Sequence, residues 1–280
     1  HELYETYTNE TGYYCFNSVP PSDYEVKLWA ETIKPDYKVV KVEKEFTEGW
    51  EICNWSDGQE NFSNNSIRNF TCDKNLKGAW WIYDAILDVY TWLYDYEDIE
   101  YETSYPVTVK LGDFDIGSFG NWIIRIPEGS EDNRGLMFHE YGHGIMYKLY
   151  GGHLPNHDVW WIHGPPLESS PEFAISEGWA EFIDYFFRYE IDNILNTRFE
   201  NPVPVYADWE DGGWDGHKVE GAVAGVFWDL YDGEDSSDYP YYPDFLSFSK
   251  YGDHISDEFV KIWIVMDEYN PDNINEFWDG

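Results

Sequence analysis

His139 and His143 stand four residues apart, with Glu140 beside the first, in Arg134-Gly-Leu-Met-Phe-His-Glu-Tyr-Gly-His-Gly-Ile-Met-Tyr147. On a helix, positions i and i+4 share a face, so both imidazoles can present a nitrogen to one metal ion. Glu140 falls one step round, where its carboxylate can reach a water on that ion instead of the ion itself. The chemistry that suits this spacing is hydrolysis by a metal-activated water, with Glu140 as general base. The plainer reading is an amphipathic helix with two polar histidines. Against it, Phe138, Tyr141, Ile145 and Met146 surround the imidazoles with apolar neighbours, and a buried His–Glu pair needs a reason.

Two histidines do not complete a zinc site, so another segment must supply a third ligand. A metzincin continuation needs glycine three and histidine six residues after His143; Met146 and Leu149 stand there instead. The better candidate is Ser176-Glu-Gly-Trp-Ala-Glu-Phe-Ile-Asp184, within a helical pattern from Glu172 to Arg188. There Glu177, Glu181 and Asp184 share a face at i, i+4 and i+7. This string resembles the second zinc-binding helix of gluzincin metallopeptidases, the clan with H-E-x-x-H and a downstream glutamate. The resemblance spans about residues 76–231. It implies Zn2+ as cofactor, Glu177 as the third ligand, and Glu181 as a carboxylate orienting a histidine ring.

A peptidase also needs a donor for the developing oxyanion. His217, in Asp215-Gly-His-Lys-Val-Glu220, opens a helical pattern and is the first candidate. In thermolysin-like gluzincins a histidine from a later segment plays this part; a capping or core histidine is the alternative. Tyr206 and Tyr231 are fallback donors. His153, His157 and His163 are expected as loop residues; as alternatives they rim the cleft with Trp160 and Trp161 or replace Glu177 as a ligand. Trp122-Ile-Ile-Arg-Ile126 is expected as a strand, either a core strand or a sheet edge that pairs with an extended substrate. The acidic strings 208–211 and 229–238 offer hard oxygen ligands for Ca2+, or a solvated surface. Neither fits a twelve-residue EF-hand loop.

These side chains need elements to hold them. Helical spacing of apolar residues runs from Leu76 to about Asp95, then over about 132–150, 171–190, 216–231 and 255–269, with a short stretch at 272–279. Val107–Leu111 is a second strand beside Trp122–Ile126. Upstream, Leu3–Thr8 and Tyr13–Phe16 flank a hairpin turn at Asn9-Glu-Thr-Gly12, and Tyr24–Trp29 and Lys38–Val42 are further strands. The run from Thr8 to Val26 resembles the middle of carboxypeptidase-regulatory-like, transthyretin-type β-sandwich domains, whose first strands are missing here. Four short strands cannot bury two sheet faces, so the module leans on the rest of the chain or on another copy. The expected fold is α+β: an incomplete β-sandwich module over 1–46, a linker over 47–74, and a zincin-like metallopeptidase domain over 75–280.

Composition narrows the partners. The chain has 55 Asp+Glu against 17 Lys+Arg, a net charge of −38, which excludes nucleic acid and disfavours anionic lipid. With 15 Trp, 24 Tyr and 17 Phe there is ample material for a core. The apolar run Gly221–Trp228 is far short of the ~20 residues a bilayer needs, so no membrane insertion is expected. The chain opens on His1 without a signal-peptide pattern, which fits a processed product. Sequons occur at Asn9, Asn54, Asn61, Asn64 and Asn69, and the last four lie between Cys53 and Cys72. That cluster reads as a glycosylated extracellular loop closed by a Cys53–Cys72 disulfide. Cys15 is expected as a buried small residue. The leading expectation is a secreted or cell-surface zinc peptidase acting on peptides or proteins. The other is an extracellular filament or surface-layer subunit on the same scaffold, joined to its own copies through the incomplete β module.

Overall fold

Every second residue of Val107–Gly112 and Ile123–Pro127 is apolar, and Val107, Val109, Leu111, Ile124 and Ile126 are all buried. That alternation builds the sheet on which the site rests. The computed structural model describes residues 22–29, 31–34, 37–46, 49–52, 54–62, 77–95, 107–155, 167–191, 216–232 and 259–279. In chain order these are β1 (Ser22–Trp29), β2 (Glu31–Lys34), β3 (Tyr37–Phe46), β4 (Gly49–Ile52), β5 (Asn54–Phe62), α1 (Lys77–Asp95), β6 (Val107–Gly112), β7 (Ser118–Gly120) and β8 (Ile123–Pro127). The helices α2 (Arg134–Leu149), α3 (Pro171–Glu190), α4 (Glu220–Asp232), α5 (Phe259–Tyr269) and α6 (Ile274–Asp279) follow, with a 3₁₀ turn at Gly216–Lys218 before α4.

The expected helices lie where the apolar spacing put them, to within a few residues at their ends. The sheet departs from expectation. A six-stranded sheet runs β2-β3-β6-β8-β7, with β4 also on β3, while β1 and β5 form an antiparallel ribbon. Strand β3, expected in a separate β-sandwich module, pairs in parallel with β6 and sets Val40 against Val107 and Val42 against Val109. All four valines are buried in the common core, so β3 has its hydrophobic partner in the region that follows. A β-sandwich over 1–46 is not seen among the described residues. The stretch expected as a linker contains β4 and β5, and Asn54 and Asn61 lie in β5. Polar side chains do not prevent a strand when a partner supplies the backbone ladder, as β3 and β1 do here. The hairpin at 3–16, Asn9, Cys15, Cys53, Asn64, Asn69 and Cys72 lie outside the described residues.

Strand β8 is not an edge. It pairs with β6 on one side and with β7 on the other, through Ser118↔Arg125, Phe119↔Ile124 and Gly120↔Ile123. Ile124 and Ile126 are wholly buried, which is why the strand sits inside the sheet and leaves the three-residue β7 at the end of the order. Between β7 and β8 only Asn121 (φ 52°) and Trp122 (φ 64°) turn the chain. Two consecutive positive φ values are those of a type I′ hairpin. Asparagine accepts that conformation readily; a bulky residue pays about 1–2 kcal/mol for it.

Behind the sheet α1 buries Ala79, Ile82, Ala85, Ile86, Val89 and Leu93. Asn133 accepts from the Leu136 amide at the start of α2, and Ser170 from the Phe173 amide at the start of α3, where Pro171 follows the cap. Trp92 meets Phe186, Phe187 and Phe259 edge-on at 5.1, 5.5 and 5.5 Å. Phe186 stacks on Phe259 at 4.2 Å. Each such pair contributes about 0.5–1.5 kcal/mol beyond its buried area, and together they fix α3 and α5 against α1.

Candidate metal centre

Helices α2 and α3 approach closely because Gly142 lacks a side chain. A Cβ there would come within 3.1 Å of Ala180 Cα and of Ile183 Cβ. The Trp179 indole N–H donates to the Gly142 carbonyl at 3.0 Å, buried within the crossing. On the far side of α3 a Cβ on Gly178 would meet the Glu220 carbonyl oxygen at 2.7 Å, so α4 presses on α3 just as tightly. Glu177 is thereby held opposite the two histidines of α2.

His139 Nε2 lies 3.3 Å and His143 Nε2 3.4 Å from Glu177 Oε2. One donor atom from each of the three residues lies within 4.8 Å of the others. Ligands about 2.0–2.1 Å from a shared tetrahedral centre sit about 3.3 Å apart, so the two imidazole–carboxylate spacings fit a single ion of zinc's size. The His139 and His143 rings stand nearly perpendicular, 85° apart, with centroids at 5.0 Å. Among the described residues this is the one group of three or more His, Cys, Asp or Glu with that convergence.

The surroundings favour positive charge. Burial pulls the His139 imidazolium down, but Glu177, Glu140 and Glu181 outweigh it and hold its pKa up at about 10. Burial raises the Glu177 carboxyl, yet His143 and His139 press it well below the usual carboxylate range. Glu181 is raised, by burial first, with Asp184, Glu220 and Glu177 adding to it against the opposing pull of His139. A site that retains a proton this firmly without metal is one that a divalent cation fills in its place.

Glu140 is 5% exposed and is not one of the three converging donors. The loop before β7 lies against it: a Cβ on Gly117 would come 2.8 Å from Glu140 Oε1. Glu181 Oε1 stands 3.9 Å from His139 Nδ1, on the ring edge away from Glu177. Asp184, read from the sequence only as part of the same face, is bound twice by Arg188, at 2.6 and 2.8 Å.

More than half of the chain, residues 103–278, matches the Mycolysin C-terminal domain family. The chain belongs to that family. No curated protein and no solved structure matches it. The Mycolysin C-terminal domain match encloses both α2 and α3, so the triad lies wholly inside it, and it points to a metallopeptidase-family protein. Strands β1 to β5 lie upstream of the matched residues.

Other candidates fall elsewhere. His217 sits half-buried in the 3₁₀ turn that leans on α3, and among the described residues no hydrogen bond or ion pair ties it to the triad. Tyr231 is not placed to act as an oxyanion donor: its hydroxyl bonds Glu190 at the far end of α3, thirteen residues from Glu177 and so about 20 Å along the helix. His153 is exposed beyond α2, its ring 5.9 Å from that of Tyr150, and it is not among the three converging donors. Asp229 and Asp232 belong to the last turn of α4. Tyr206, His157, His163, Trp160, Trp161, Asp208, Glu210, Asp211, Glu234, Asp235 and Asp238 lie outside the described residues.

One partner went unread in the sequence. Ser176 is buried, with Oγ 3.4 Å from His143 Nδ1. Its only signal was a hydroxyl residue immediately before Glu177. Likewise, Gly142 inside His-Glu-Tyr-Gly-His was legible as a small residue but not as the contact that sets the helix spacing.

Proposed function

We propose that the protein is a secreted zinc peptidase in which His139, His143 and Glu177 hold the metal and Glu140 is the general base. The observation that carries this is the meeting of two imidazoles and one carboxylate from two helices, both imidazole–carboxylate spacings fitting a tetrahedral ion, with the Glu140 carboxylate outside the set. When bound, zinc supplies Lewis acidity toward a water and toward a peptide carbonyl. Glu140, held on a buried helix under the Gly117 loop, takes the water's proton on a carboxylate oxygen and returns it to the leaving amine nitrogen. Glu181 and Ser176 address the Nδ1 atoms of His139 and His143 respectively, which keeps both Nε2 atoms turned toward Glu177. Strand β7, at the end of the sheet order, offers a backbone edge to an extended peptide in place of β8.

Secretion is supported by the sequon cluster and by the family, and no helix among the described residues is long and apolar enough to cross a membrane. Neither the family match nor the triad favours the filament-subunit reading.

The test is hydrolysis of a generic protein substrate by the purified chain, with metal content measured alongside. Glu140→Gln is expected to retain the metal and lose activity by about 10²–10⁴-fold. His139→Ala is expected to lose both. Parent and Glu140→Gln proteins that bind zinc and are equally inert would overturn the enzyme reading.

A further inference from the structure

The stripe of α2 that carries the two histidines begins one turn before them. Gly135, His139 and His143 stand at i, i+4 and i+8 on one face. Glu177, Glu181, Asp184 and Arg188 line the facing side of α3 in the opposite sense, so the two helices meet there as a ladder. Glu177 faces both imidazoles, and Glu181 stands by the His139 ring. The last rung holds no metal ligand. Gly135 is buried, and a Cβ on it would overlap the Arg188 guanidinium, which fills the space a side chain would take.

Asp184 keeps Arg188 in that seat. Arg188 Nε and Nη2 donate to the two carboxylate oxygens of Asp184 at 2.6 and 2.8 Å, a bidentate fork. The two side chains are 20% and 10% exposed, so salt screens the pair little. Helix stability does not account for the placement. Positive charge at a helix N-terminus opposes the macrodipole, and the first turn of α2 has no acidic residue to offset it. Yet in a chain with 17 Lys+Arg this one turn is met by two guanidiniums. Arg134 reaches back to Asp84 and Asp88 of α1 at 3.2 and 2.8 Å, and Arg188 comes from α3. The turn is thereby pinned from both sides. Further along, the Trp179 N–H on the Gly142 carbonyl pins the crossing again. His139 lies between these two fixed points, four residues after Gly135 and three before Gly142.

We propose that Arg188, held by Asp184 and seated on Gly135, is a positioning residue for the metal: it fixes the separation of α2 and α3 at His139. This rests on the metal-binding reading of the triad and is independent of catalysis. Without the seat, one of the two fixed points that bracket His139 is gone, and its ring drifts from Glu177. The role belongs to the planar fork and to the notch that receives it, not to the charge. A cation near a divalent ion repels it, so the charge of Arg188 by itself would weaken metal binding.

The experiment measures zinc affinity of the full chain by chelator competition, with denaturant unfolding of the metal-free protein alongside. Gly135→Ala keeps every charge and expels the guanidinium from its seat. Arg188→Lys keeps the charge and loses the fork. Each is expected to weaken zinc by about tenfold, the lower end of what an outer partner of a metal site contributes. The Gly135→Ala/Arg188→Lys double variant is expected to bind within about twofold of either single one, because both changes remove the same contact. Alanine favours a helix over glycine, so the unfolding midpoint of Gly135→Ala is expected at or above that of the parent while its zinc affinity falls. A merely structural role would move the two together. Parent-like zinc affinity in either single variant overturns the proposal. So does additivity in the double variant, or a loss of affinity matched by a lower midpoint in Gly135→Ala. If Gly135→Ala does not fold, the affinity of Arg188→Lys decides. A parent that takes up no zinc brings down the metal reading and this proposal with it, a result distinct from any difference among the variants.

Discussion

The two faces of α3 solve opposite problems. One carries Ser176, Glu177, Glu181, Asp184 and Arg188; the other carries Trp179, Phe182, Phe186 and Phe187, all fully buried. The aromatic face gains from area and contact, which are non-directional, so its exact geometry is forgiving as long as volume is kept. The polar face places carboxylates out of water, which is costly unless each finds a partner within a few tenths of an ångström. Asp184 finds Arg188, and Glu177 finds two imidazoles. The comparison teaches that the aromatic face supplies the stability against which the strained electrostatics of the polar face can be maintained.

That division breaks cleanly if substitutions on the two faces have the same readout. The largest effect is expected from Glu177→Ala. Zinc affinity, measured by chelator competition, should fall by more than the about 100-fold that loss of an outer partner costs, while denaturant unfolding of the metal-free protein loses only the Glu177–imidazole pairing. On the opposite face Phe186→Ala should cost about 3–5 kcal/mol in the same unfolding experiment whether or not metal is present. Gly117→Ala sharpens the contrast from outside α3. The new Cβ displaces the Glu140 carboxylate, so kcat should fall by about a hundredfold with zinc content intact. Ser176→Ala should weaken zinc by about 10- to 100-fold, and Ser176→Thr should restore part of it.

The smallest effect is graded with pH. His139 in the metal-free protein has its pKa raised to about 10, so below that value a proton occupies the site and must leave when metal enters. Apparent zinc affinity should therefore fall as pH falls, by about tenfold per unit between pH 9 and 7, as read by competition titration. The same sign applies to the metal-free fold: a raised histidine pKa contributes stability below the ordinary value near 6.5, and this contribution is lost as pH climbs through about 10.

Much of the helical part was legible because its apolar residues recur at three and four. Leu93, Phe138, Ile145, Phe182 and Phe186 are buried where that spacing places them, and His139, His143 and Glu177 meet as the motif and the resemblance together implied. The sheet was not legible in the same way. Pairing β3 with β6 joins residues more than sixty positions apart, a contact that no local pattern encodes. Strands β4 and β5 carry polar side chains and exist through their partners, and β7 is three residues long, too short to show a period. Tyr231 was a fallback donor by residue type, but its bond to Glu190 sets it at the far end of α3 from Glu177.

Where α2, α3 and α4 touch, two carbon atoms are missing: there is no Cβ at Gly142 or at Gly178, and in each gap the neighbouring helix fills the space. The cage is therefore assembled by the scaffold before any ion arrives, and an ion entering it needs to displace a proton instead of folding a chain. Such a protein should survive being emptied. Exhaustive chelation should leave its far-ultraviolet circular dichroism unchanged, and returning zinc should restore full occupancy without refolding.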